Sequence, residues 1–69
     1  MDPQTHRRFL DYLELRGYFA RSDMPKLDAE SFAELDSELS RLLELERSGS
    51  VEATQSRRIG ALRKILFRD

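Results

Sequence analysis

Residues 27–50, LDAESFAELDSELSRLLELERSGS, carry the strongest structural signal in the chain. Phe32, Leu35, Leu39 and Leu42, then Leu45 or Glu46, recur at alternating steps of three and four residues. That spacing aligns apolar side chains along one side of a helix, as in a coiled-coil seam. Leu43 and Leu45 widen the stripe near its end. Asp28 is suited to cap the helix start, and Leu27 before it faces Phe32 in the pairing of a hydrophobic staple. The pattern predicts a helix over about 28–47. Ser48-Gly49-Ser50 predicts a turn, with glycine ending one helix and Ser50 capping the next. That next helix, about 51–67, carries Val51, Ile59, Leu62, Ile65 and Leu66 on one side.

So short a connection makes the two helices antiparallel neighbours. With the turn centred on Gly49, facing residues have numbers summing to about 98. Phe32 then meets Leu66, Leu35 meets Leu62 or Arg63, and Leu39 meets Ile59. Leu42 falls opposite the polar Gln55-Ser56. Residues 27–49 contain seven acids and two bases, and residues 50–69 two acids and five bases. In this register Glu30, Glu34 and Glu38 approach Arg68, Lys64 or Arg63, and Arg58. Exposed pairs of this kind contribute about 0.2–1 kcal/mol each, enough to favour a register but little stability.

Upstream, Asp2 as N-cap and Pro3 as first helical residue begin a shorter helix over about 3–16. Phe9, Leu10, Tyr12, Leu13 and Arg16 define its inner face. Gly17 is placed to stop it in the left-handed conformation, with Phe19 or Ala20 as alternative end points because helical glycine costs only about 1 kcal/mol. Ser22 to Lys26 form the break, where Pro25 pushes Met24 towards an extended conformation. The expected fold is all-α: one domain spanning residues 1–69, an antiparallel helical hairpin plus a shorter N-terminal helix, resembling a three-helix bundle.

The chain has 69 residues, no cysteine and one histidine, His6. A domain this small buries only about 60% of the surface its unfolded chain exposes. Disulfides and thiolate chemistry are excluded, and a lone histidine builds no histidine-based metal site. Helix packing and self-association, as a dimer, are the remaining sources of stability. Charged residues make up 36% of the chain, yet the net charge is −1 and the mean hydropathy −0.63. Disordered chains combine low hydrophobicity with high net charge, so the balance favours folding. No apolar run approaches the roughly 18–20 residues of a membrane span, and the N-terminus lacks the features of a signal peptide. A cytoplasmic location is expected.

Neither a Ser-His-Asp or zinc-type spacing nor a phosphate-binding loop is present. No enzyme activity and no cofactor are expected. His6, beside Arg7 and Arg8 at a helix start, reads as a solvated side chain. The expected function is protein binding through apolar helix faces, as an adaptor, regulator or assembly component. Contact candidates are Leu10, Tyr12, Tyr18, Phe19, Leu43, Leu45 and Phe67, since aromatics are enriched at interface hot spots and uncovered apolar patches mark binding sites. For the aromatics around Gly17, closing the end of the core is the favoured alternative. Ser56 and Gly60, flanked by Ala53 and Ala61, form a strip permitting close helix approach, either by the N-terminal helix or by a second chain. Arg57, Arg58, Arg63 and Lys64 would carry the competing function, nucleic-acid binding. A pI near 5.8 and the acidic helix opposite weigh against that reading.

Overall fold

The computed structural model describes residues 1–19, 21 and 23–68. The expected α-helical class holds, with three helices among the described residues: α1 (Pro3–Phe19), α2 (Ala29–Arg47) and α3 (Ala53–Ile65). α2 is central, packing against both α3 and α1 around one core. Overall extents are 34 × 27 × 16 Å. α1 and α3 do not pack on each other as helices among the described residues, and each keeps exposed residues, Leu10 and Tyr18 on α1 and Ser56 and Gly60 on α3.

The starts of α1 and α2 follow their capping residues. The Thr5 N–H donates to Asp2 Oδ1 at 2.8 Å, and the Ser31 N–H donates to Asp28 Oδ1 at 2.8 Å. Both carboxylates are held below the usual range, chiefly by these backbone hydrogen bonds. Leu27 is half-buried against the core that contains Phe32, as a staple requires.

Two local expectations fail, and a third resolves to its alternative. α1 does not stop at Gly17 but takes the alternative end point, Phe19: no tertiary contact demands a left-handed residue at position 17, and helical glycine is only mildly unfavourable. Ala20 and Ser22 lie outside the described residues. Ser50 does not cap α3. Its N–H donates back to the Leu45 carbonyl at 2.9 Å, completing the end of α2. Glu52 takes the N-cap position, and its N–H donates to Gln55 Oε1 at 2.9 Å. Finally, α3 ends at Ile65 rather than near 67, because Phe67 adopts a left-handed conformation with φ 54°.

The core comprises Tyr12, Phe32, Leu39, Ile59, Leu62 and Leu66. Of the apolar residues proposed for the seam, Phe32, Leu39, Ile59, Leu62 and Leu66 lie in it and Leu35, Leu42 and Val51 are half-buried against it. Ile65, by contrast, is exposed and Leu45 does not pack on it, because Ile65 lies in the last turn of α3, off the face that carries Ile59, Leu62 and Leu66. The Glu38–Arg58 pair forms as the register requires, with Nε–Oε2 2.6 Å and Nη2–Oε1 3.0 Å. The other two charge pairings do not form among the described residues. Arg68 is turned off the α3 axis by Phe67 and reaches Asp36 instead of Glu30. Within the described residues no helix is long and apolar enough to cross a membrane.

Candidate functional site

Two features of the molecule stand apart from routine helix packing: a buried carboxylate and an uncovered aromatic pair. Asp36 projects from the inner face of α2, four residues after Phe32 and three before Leu39, and is only 1% exposed. A buried carboxylate requires compensation by charge and hydrogen bonds, and Asp36 receives both from two directions. Arg8 of α1 donates from Nε to Oδ1 at 3.0 Å and from Nη2 to Oδ2 at 2.6 Å. Arg68, beyond the end of α3, donates from Nη1 to Oδ1 at 2.8 Å. Arg8 also donates to Thr5 Oγ1 at 3.2 Å, which fixes its guanidinium plane. The hydrogen bonds to Asp36 raise the pKa of Arg8. One carboxylate thus links α1, α2 and the C-terminal turn.

Beside this cluster the aromatic rings form a second link. The Tyr12 ring centroid lies 5.2 Å from that of Phe32 and 5.9 Å from that of Phe67, while Phe9 lies 5.3 Å from Phe32. The Tyr12 hydroxyl accepts the Leu27 N–H at 3.0 Å, tying the interhelical segment to α1. Tyr12 is therefore a core residue and presents no free surface, although its position near other aromatics made it a contact candidate.

The remaining contact candidates divide by exposure. Leu43, Leu45 and Phe67 are half-buried, and Leu10 is exposed. Tyr18 and Phe19 are 76% and 68% exposed, with ring centroids 6.2 Å apart. They do not close the end of the core. α1 extends beyond the part of α2 that covers it, so its last turn carries both rings into solvent.

On the outer face of α3, Ser56, Gly60, Ala53 and Ala61 are all exposed. A Cβ added at Gly60 would meet nothing within 4 Å. α1 does not dock on this strip, because among the described residues α1 and α3 form no helix–helix packing. The basic candidates also divide. Arg58 is committed to Glu38, whose carboxyl it holds below its usual range, whereas Arg57, Arg63 and Lys64 form no ion pair among the described residues.

The chain matches no family model, no curated protein and no solved structure in comparisons with known proteins.

Proposed function

We propose that this chain is a non-catalytic protein-binding module, acting as an adaptor, regulator or assembly component through apolar side chains that its own core leaves uncovered. The observation that carries this reading is the adjacent pair Tyr18 and Phe19, both more than two-thirds exposed. Aromatic rings gain most from leaving water, and each supplies a large contact area at low conformational cost. Leu10, also exposed on α1, adds to the available apolar area. A partner helix, or a second copy of the chain forming a dimer, is the fitting counterpart.

The test compares the native chain with Tyr18→Ser/Phe19→Ser. Circular dichroism of the two should agree, since neither ring contributes to the core. Sedimentation across a concentration series, together with affinity capture from the native cell, then measures binding. Loss of self-association or of a captured protein in the double variant supports the reading. Identical behaviour of both chains counts against it.

A second reading, nucleic-acid binding, is favoured by Arg57, Arg63 and Lys64 on α3, which form no ion pair among the described residues, while Arg58 and Arg68 are engaged by carboxylates. It requires an affinity that falls steeply with salt, and charge reversal at these three positions to abolish it.

A further inference from the structure

The turn that follows α3 does more than end a helix. Phe67 holds φ at 54°, a conformation that a bulky side chain adopts only when its surroundings compensate. Its ring packs on Tyr12 of α1, and the next residue, Arg68, donates to Asp36 on the same oxygen that Arg8 of α1 uses. α1 and α3 do not otherwise pack as a helix pair among the described residues. The α2–α3 hairpin has separate attachments: Leu39 against Ile59 and Leu62 in the core, the two-point Glu38–Arg58 pair, and a short turn.

We infer that Leu66-Phe67-Arg68 are a latch that governs whether α1 stays docked, so that α1 undocks as a unit while α2 and α3 remain paired. Both arms of the latch act on α1, one through Tyr12 and one through the carboxylate shared with Arg8. Release returns Phe67 to unstrained backbone, which lowers the cost of opening. Opening uncovers Phe9, Tyr12 and Phe32, an aromatic surface that is hidden in the closed form. The inference is independent of the exposed Tyr18–Phe19 pair.

Amide hydrogen exchange followed by NMR on the full chain tests it, because exchange resolves local from global opening. In the native chain, α1 amides are expected to exchange faster than those of Leu39 and Ile59. Arg68→Ala should accelerate α1 amides by a further factor of about ten, the size of one lost charge-assisted hydrogen bond, and the Leu39 and Ile59 amides by less than about threefold. Phe67→Gly, which keeps the turn but removes the ring, should also act selectively on α1. Equal acceleration in all three helices, no acceleration, or complete unfolding of either variant would overturn the latch, since each shows that α1 is not a separable unit.

Discussion

The ends of α2 and α3 close with the same hydrogen-bond pattern built from opposite residues. At the end of α2 the Ser50 N–H reaches the Leu45 carbonyl at 2.9 Å and the Gly49 N–H reaches that of Glu46 at 3.1 Å. At the end of α3 the Arg68 N–H reaches the Arg63 carbonyl at 2.8 Å and the Phe67 N–H that of Lys64 at 3.4 Å. Both are Schellman motifs, in which the residue after the cap is left-handed. Gly49 takes φ 78° without strain and faces solvent. Phe67 takes φ 54° against its side-chain preference, by about 1–2 kcal/mol, and the ring contact with Tyr12 and the Arg68–Asp36 ion pair offset it. The first turn is specified by its own residues, the second by the tertiary contacts that it makes. A local rule broken with compensation nearby marks a place where the fold depends on long-range contacts.

The largest expected effect lies at the carboxylate that anchors the second turn. Asp36→Ala should lower unfolding stability in urea by about 3 kcal/mol, since it removes the centre of a buried ion cluster. Glu38→Ala, which breaks the more exposed Arg58 pair, should cost less than about 1 kcal/mol. Equal losses would deny Asp36 its special place. Next come two changes at Phe67. Phe67→Ala loses a half-buried ring and keeps the strain, for about 2 kcal/mol, whereas Phe67→Gly should be milder by about 1 kcal/mol because glycine accepts the left-handed backbone. If alanine is the milder of the two, the turn is not strained.

Glycine-to-alanine changes sharpen the contrast, because no atom lies within 4 Å of the added Cβ at either Gly49 or Gly60. Gly49→Ala should destabilise by about 1 kcal/mol and Gly60→Ala, inside α3, should stabilise by a similar amount, so that thermal melts move in opposite directions. The smallest effect is electrostatic. Asp2, Asp28 and Glu38 have folded pKa values below their unfolded ones. Their contribution is complete above the unfolded values and is lost as pH falls through the folded values, because the unfolded chain takes up protons first. Stability should therefore decline below about pH 4.5, and less so in Asp28→Asn, where asparagine still caps but does not titrate.

The hairpin was legible because its signals repeat: a stripe from Phe32 to Leu42, a matching one from Ile59 to Leu66, and a glycine between. Asp36 was legible in principle. It stands in line with Phe32 and Leu39, where a solvated acid has no place, but among the seven acids of residues 27–49 its position on the apolar stripe drew no separate reading. Phe67 was not legible, since no glycine or asparagine marks the turn and only the fold supplies its compensation. Ser50 misled because serine suits a helix start, and Glu52 with Gln55 three residues on is the less familiar version of the same device. The exposure of Tyr18 and Phe19 depended on how far α1 extends past α2, which spacing does not encode.

The central claim is that the C-terminal turn holds α1 by way of Asp36, and a double-mutant cycle between Arg68→Ala and Asp36→Asn tests it most directly. Urea denaturation of the four chains should give a coupling of about 1 kcal/mol or more between the two positions. Additivity to within about 0.3–0.5 kcal/mol would show that Arg68 acts independently of that carboxylate and contradict the account.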